Sequence, residues 1–449
     1  MQSTICWSDL AGRNVGLYGL GREGRANLRK CLALGLDPVL VDDVPAADDP
    51  SVLATGGGGA AALLACDVVV KTPGISRYTN PTVQKLAAQG VPVVGGLGLW
   101  LPEADRSRVL CVTGTKGKSS TAAIAGHLLG RLGYRCLVGG NIGIPPYDPL
   151  LGVEPYDYWV IEVSSYQATD LAASPPVVAV TSLHPDHLPW HRGDAEIYYR
   201  DKLSLCTRPG ADLTVVNGDS TLLRARRDQL GPRVEWVCAN HDPSSNWMAP
   251  LELLGEHNRR NALIARAALC ALGVPETANE AALREAAAGF EHLESRLHPI
   301  GTVGGVLFVD DSLSTNVLPT LAAVDAFPAR PVALIVGGLS RGIDYAELAT
   351  GLRARSAPTR VFTIPDNGPH ISSVLRRSDV DAVDCADLTA AVTRGFSWAA
   401  PDGVVLLSPA AASFGRFIDY RARGDAFATA MRACAVQWNA TRNKQPAIG

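Results

Sequence analysis

The residues best suited to chemistry are Thr113-Gly114-Thr115-Lys116-Gly117-Lys118-Ser119-Ser120, which follow the apolar run Val109-Leu110-Cys111-Val112 and precede a helical pattern from Thr121 to Leu132. A strand, a glycine turn and a helix N-terminus form the arrangement that binds polyphosphate. Two glycines let the backbone turn its N–H groups inward, while the helix dipole and the Lys118 ammonium add positive potential. The Ser119 hydroxyl can ligate Mg²⁺. The usual pattern has glycine at position 112, where this chain has Val112, so the loop is a shortened variant; a plain glycine turn before a helix is the bland alternative.

Further polar groups fall at the ends of apolar runs, where open α/β sheets present residues to a ligand crevice. Glu162 closes the strand-like Tyr158–Val163 and is followed by Ser164, Ser165, Tyr166 and Gln167; Asp186-His187 follows Val177–Thr181 in the same way. A carboxylate at 162 can reach a metal held by the phosphate loop. His184, His187 and His191 admit a zinc reading, disfavoured by Pro185 and Pro189 and by the lack of a cysteine among them. Lys202, on the helix-like Glu196–Leu205, reads equally as a solvated surface lysine or a site residue. Gly255-Glu256-His257-Asn258-Arg259-Arg260-Asn261 opens a helix to Leu272, as a nucleotide contact or a simple cap. Asp310-Asp311-Ser312-Leu313-Ser314-Thr315-Asn316 follows another strand, which favours function over two solvated acids.

The elements that must position these groups alternate between strand and helix. Gly19-x-Gly21-x-x-Gly24 follows an apolar strand and precedes a helix ending near Gly35; Pro38 to Asp42 is the next strand, with acids at Asp42 and Asp43 about 20 residues beyond the glycines, as in dinucleotide sites. Asp67 to Gly74 adds a strand with a Pro-Gly turn, and Leu101-Pro102-Glu103 reads as a linker. A second series begins at Arg108 and includes Leu213–Asn217; a third, from about Ser295, has strands Gly305–Asp310, Pro331–Val336, Arg360–Thr363 and Gly403–Leu407. The expected architecture is α/β, with parallel sheets covered on both faces, in three domains at 1–105, 106–294 and 295–449. The tail from about Thr441 is expected to fray.

Composition narrows the function. The 449 residues carry a net charge of −3, with no basic face for nucleic acid and no polybasic membrane patch. No apolar run reaches about 18 residues, and Met1 to Cys6 lacks the pattern of a secretory leader, so a cytoplasmic, monomeric protein without membrane insertion is expected. The ten cysteines include no C-x-x-C pair, which argues against zinc ribbons and redox dithiols; Cys111 reads as core packing rather than a nucleophile.

In order, the phosphate loop, Gly139-Gly140-Asn141-Ile142-Gly143, Glu162-Val-Ser-Ser-Tyr-Gln, Asp186-His187, Lys202, His257-Asn258-x-x-Asn261, Asp310-Asp311-Ser312 and Ser408-Pro409-x-x-x-Ser413 resemble the Mur ligase family over nearly the whole chain, and most of all its glutamate-adding branch. The resemblance implies an N-terminal Rossmann-like domain binding a UDP substrate, a central P-loop ATPase-like domain, and a C-terminal Rossmann-like domain binding the amino acid. It implies ATP-dependent addition of glutamate to UDP-N-acetylmuramoyl-L-alanine through an acyl phosphate. Gly114, Thr115, Lys116, Gly117, Lys118, Ser119, Ser120, Asn261, Arg296 and Asp311 would contact ATP. Ser119 and Glu162 would bind one Mg²⁺; His187 and Lys202, the latter carbamylated by CO₂, would bind a second. Lys118, His187 and Lys202 are the catalytic candidates. Asp42, Gly74, Asn141 and Ser164 match the UDP-muramoyl side, and Thr315, Arg341, Ser413 and Tyr420 the glutamate side.

Departures cluster around the amino-acid pocket. Leu313 and Arg341 stand where the D-glutamate enzymes carry lysines, Tyr420 replaces phenylalanine, and His-Arg-x-Glu is reduced to Ser295-Arg296-Leu297-His298. Pro189-Trp190-His191 stands for Asp-Arg-His, and Lys116 for a common asparagine. Arg341 can clamp a carboxylate bidentately whereas Leu313 binds no charge, so the sequence leans toward the subgroup that adds L-glutamate, with the standard D-glutamate ligase as the alternative. More distant readings are a folylpolyglutamate-type ligase, a nicotinamide-dependent oxidoreductase built on Gly19 to Gly24, and a P-loop nucleotide switch.

Overall fold

The computed structural model describes residues 5–46, 49–239 and 246–442. The expectations for the leader positions Met1–Thr4 and for the tail beyond Arg442 lie outside the described residues. Two compact units emerge: the chain through Leu253 together with Asn258–Phe290, and Leu254–His257 together with the chain from Glu291.

The first unit contains two sheets. One has the spatial order Leu53–Ala54, Val39–Asp42, Val15–Tyr18, Val68–Lys71, Val93–Gly95, all parallel. The other runs Arg233–Val237, Leu213–Asn217, Val177–Val180, Val109–Thr113, Tyr158–Glu162, Cys136–Gly140, again all parallel. Every residue of Val109–Thr113 is buried, which explains why this strand reads as an unbroken apolar run rather than an alternating one. Its neighbours end in Glu162 on one side and lead toward Asp186 on the other, so the sheet order itself places both acids beside the phosphate loop.

The helices Lys118–Arg131 and Glu256–Ala271 cover one face of the second sheet through Ile124, Leu128, Ile264 and Leu269. A separate core joins the two sheets, running from Leu17 and Val70 through Leu99, Trp100 and Leu101 to Val109 and Ile161. Leu101, in the stretch read as a linker, is 2% exposed and belongs to this core.

Across the same junction lies an ion pair with no access to water. Lys71 Nζ donates to Asp170 Oδ2 at 2.5 Å, with both side chains buried, and Arg77 approaches Asp170 Oδ1 at 3.6 Å.

The second unit holds one sheet in the order His298–Val303, Val306–Asp310, Val404–Leu407, Val332–Val336, Thr359–Thr363, Ala382–Asp384. Its first strand pairs antiparallel with the second through a turn at Gly304-Gly305, and the remaining pairs are parallel. The four strands expected from the sequence are parallel to one another; the antiparallel edge strand His298–Val303 is an addition to them. A hairpin needs only a two-residue glycine turn, and Pro299 and Gly301 are tolerated because the strand lies at an edge. The short strands Cys136–Gly140, Arg233–Val237 and Ala382–Asp384 also carried too little apolar signal to stand out.

Among the described residues no helix is long and apolar enough to cross a membrane. All ten cysteines are free thiols, with Cys111 in the core as expected. Asp170→Ala, which leaves the Lys71 ammonium buried without its carboxylate, should destabilise the first unit by about 3–5 kcal/mol. A lowered thermal midpoint, largely regained in Lys71→Met/Asp170→Leu, is the expected result by calorimetry.

Candidate functional site

The phosphate loop is held open by contacts on its outer side. Thr115 N–H donates to the Ser182 carbonyl at 2.9 Å and Lys116 N–H to Ser182 Oγ at 2.8 Å, while Thr181 and Ser182 hydroxyls donate to the Lys116 carbonyl. With those two amides engaged, the first turn of the helix Lys118–Arg131, which has no side-chain cap, leaves N–H groups of the kind that can bind an anion. Ser119 and Ser120 lie in this turn. Glycine is required at 114 and 117. Their φ values are +138° and +89°, and a Cβ would fall 2.1 Å from Thr181 Oγ1 and 2.6 Å from Asn261 Oδ1, respectively. Asn261, buried on its helix and bonded to Asn258, therefore stands directly against the loop. Lys118 Nζ donates to the Thr115 carbonyl at 3.1 Å.

On one side, Ser119 Oγ donates to Glu162 Oε2 at 2.6 Å, and Glu162 Oε1 accepts from Asn141 Nδ2 at 2.7 Å. A hydroxyl and a carboxylate at this separation make a hard-oxygen pair suited to a Mg²⁺-like ion. Asn141 also receives Arg22 Nη2 on its carbonyl at 2.6 Å, linking the glycine-rich turn of the first sheet to the site. Ser164 caps the helix Ser165–Ala168 through a reciprocal box with Gln167, and Gln167 Nε2 reaches Glu23. Asp42 accepts from Leu20 N–H at 2.7 Å and so shapes the Gly19–Gly24 turn; the Gly74 carbonyl accepts from Trp190 Nε1.

On the other side, Lys116 Nζ pairs with Asp186 at 3.0 Å, and His187, in a left-handed conformation, has Nε2 3.8 Å from the same carboxylate. Burial, then the cations of Lys116 and Lys118, hold the His187 imidazole below its usual pKa despite Asp186, which favours the neutral, metal-ligating form. Among the described residues no group of three or more His, Cys, Asp or Glu could hold a metal, so the three-histidine zinc cluster is not assembled.

Lys202 is no surface lysine. It is 2% exposed on the helix Ala195–Leu203, its Nζ donates to the Gly114 carbonyl at 2.9 Å, and it lies 5.1 Å from the Tyr198 ring centre. Burial, reinforced by Lys118, drives its pKa well below the ordinary lysine value, which favours the uncharged amine under the loop.

The network that holds this helix was not anticipated from the chain. His191, fully buried, bonds Asp201 Oδ2 through Nδ1 at 2.9 Å and Ser165 Oγ through Nε2 at 3.2 Å, and Tyr78 Oη donates to Asp201 Oδ1 at 2.8 Å. The order Ser165–His191–Asp201 has the spacing of a hydrolase triad. Because all three are buried and Asp201 is shared with Tyr78, it acts as a brace, tying the residue before Lys202 to the strand end of Glu162 and to the Pro73–Asn80 loop. A histidine beside an aromatic and an acid immediately before a lysine are the signals the chain offers.

In the second unit, Asp310 and Asp311 are both buried. Asp310 accepts from Ser295 and from Ser312, and Asp311 from Ser408 Oγ at 2.7 Å and Leu297 N–H at 3.1 Å. Arg296, the residue between Ser295 and Leu297, is thereby carried on a pinned segment. Thr315, Arg341, Ser413 and Tyr420 come from the loops after three adjacent strands and from the first residue of the helix Tyr420–Arg442, with the Arg341 guanidinium 5.9 Å from the Phe414 ring centre.

Residues 112–269 match the Mur ligase middle domain. The chain is 41% identical, over 95% of its length and 98% of the relative's, to a protein of Micromonospora sp. named UDP-N-acetylmuramoyl-L-alanine--L-glutamate ligase. It belongs to the Mur ligase family. A protein of the same name from Xanthomonas euvesicatoria pv. vesicatoria is 40% identical to this Mur ligase over 94% of the chain and 95% of that protein. The MurF ligase of Thermotoga maritima, solved in complex with ADP, covers 96% of this chain and all of its own with a TM-score of 0.57 at 14% identity, so the α/β architecture is that of the Mur ligase fold.

One titration follows from the second unit. Burial pushes the Asp311 carboxyl up to about 7, against hydrogen bonds from Ser314, Ser408 and the Leu297 amide. A carboxyl raised on folding contributes its stability fully below its unfolded value and loses it as pH rises through the folded one. The thermal midpoint of the wild type relative to Asp311→Asn should therefore fall from about pH 4 to about pH 7 and level off above.

Proposed function

We propose that this Mur ligase joins L-glutamate to the alanyl carboxyl of UDP-N-acetylmuramoyl-L-alanine in cytoplasmic peptidoglycan precursor synthesis, at the expense of ATP. The carboxylate oxygen attacks the γ-phosphorus and ADP departs, giving an acyl phosphate. The glutamate amine then adds to the acyl carbon, and phosphate leaves from the tetrahedral intermediate as the nitrogen loses its proton. The phosphate is the leaving group that a bare carboxylate lacks.

The observation that carries this reading is Lys202, sealed against the phosphate loop with its Nζ on the Gly114 carbonyl, where burial favours the uncharged amine. An amine in that state adds to CO₂, forming an N–C bond and releasing a proton, so the side chain becomes an anionic carbamate. In this reading Lys118 and the loop amides hold the β- and γ-phosphates. Ser119 and Glu162 would hold one Mg²⁺, and His187 with the Lys202 carbamate would hold a second. Bound there, such ions neutralise the repulsion between the triphosphate and the incoming carboxylate. Asn261, Arg296 and Asp311 serve the nucleotide, and Asp42, Gly74, Asn141 and Ser164 the UDP-muramoyl group. Thr315, Arg341, Ser413 and Tyr420 take the glutamate.

The L enantiomer is supported by the names of the similar proteins and by the chain's own exchanges. With Leu313 and Arg341 in place of two lysines, the carboxylate-binding groups of the pocket are rearranged while the ATP machinery is kept. A site rejects the wrong ligand when its charged groups are left unpaired.

ADP release should require the UDP-muramoyl-alanine acceptor and should be faster with L- than with D-glutamate; a clear preference for D-glutamate would remove the L assignment. Lys202→Ala should lower kcat by about 10²–10³, with partial recovery on adding short carboxylates.

A further inference from the structure

We infer that Arg423 is a positioning residue for the amino-acid pocket, a role that rests on the ligase reading above. Its guanidinium is 0% exposed in the first turn of the helix Tyr420–Arg442 and draws together the carbonyls of three separate loops. Nη2 donates to the Ser312 carbonyl at 2.8 Å and to the Ala411 carbonyl at 3.2 Å. Nη1 donates to Ala411 at 3.2 Å and, at the longer distance of 3.5 Å, to Gly337.

Those carbonyls belong to the segments after Val306–Asp310, Val404–Leu407 and Val332–Val336, three neighbouring strands of one sheet. Each glutamate candidate lies a few residues from its anchor: Thr315 follows Ser312, Ser413 follows Ala411, Arg341 follows Gly337, and Tyr420 stands one turn before Arg423 itself. Leu339 N–H also donates to the Ala412 carbonyl at 2.9 Å, so two of the loops are stitched to each other directly above the guanidinium. Space there is already filled. A Cβ on Gly338 would sit 3.1 Å from Arg423 Nη1 and 2.2 Å from the Ala412 carbonyl oxygen.

The donors of one planar fork reach three loops at once, which an ammonium on a single point cannot do. Nε has no hydrogen-bond partner among the described residues, so the hydrogen bonds of the fork go to carbonyls, while the buried Asp310 carboxylate favours its charge.

The test is steady-state kinetics of the full chain carrying Arg423→Lys and Arg423→Gln. Arg423→Lys should raise the KM for L-glutamate by about tenfold or more, and Arg423→Gln further. The KM values for ATP and the UDP-muramoyl acceptor should stay within about twofold. Equal changes in all three KM values, an unchanged glutamate KM, or failure of even Arg423→Lys to fold would make the residue general scaffolding and overturn the inference. Wild-type protein without glutamate-dependent ADP release would instead remove the ligase reading, an outcome seen without any variant.

Discussion

A lysine sealed beneath the phosphate loop, with a backbone carbonyl as its hydrogen-bond partner, is the constraint around which the first unit is arranged. Keeping Lys202 dry suppresses its charge, and keeping it in place requires a rigid helix. The buried bonds from His191 and Tyr78 to Asp201 provide that rigidity from two directions. The same burial explains why the loop can carry Lys116 and Lys118 nearby: a third full positive charge at that spot would be repelled, whereas a neutral amine is not.

The parts of this architecture that were legible in the sequence are those written in short, contiguous signals. Gly114, Gly117 and the helix behind them follow from the strand–turn–helix pattern, and Glu162 from its place at a strand end. Lys202 was ambiguous because burial is a property of what packs over a helix, and neither Tyr198 nor the Gly114 carbonyl announces itself in the chain. The brace of Ser165, His191 and Asp201 is assembled from segments 26 and 10 residues apart, so no local pattern marks it. The antiparallel edge at His298–Val303 was hidden by its own proline and glycine, which lower strand propensity but do no harm where one side of a strand is unpaired.

The second unit uses backbone carbonyls where the first uses carboxylates. Its two adjacent acids, Asp310 and Asp311, are buried and accept from hydroxyls and amides. The loops beyond them are gathered by one guanidinium. Conserving charge with lysine would not conserve this geometry, because the arrangement depends on the width of the fork as much as on its sign. In the proposed reading, a pocket built from loops in this way can change its ligand by exchanging residues such as Leu313 and Arg341 without disturbing the sheet that carries it.

The dry Lys71–Asp170 contact reaches beyond stability. Because it fastens the sheet bearing the Gly19–Gly24 turn to the sheet bearing the phosphate loop, the span between those two turns is fixed by the protein and not by whatever occupies it. In the proposed reading the acceptor is gripped at its uridine end and reacts at its far end, so this part of the molecule acts as a ruler. Acceptors whose peptide stem is one residue too long or too short would present their carboxyl at the wrong mark.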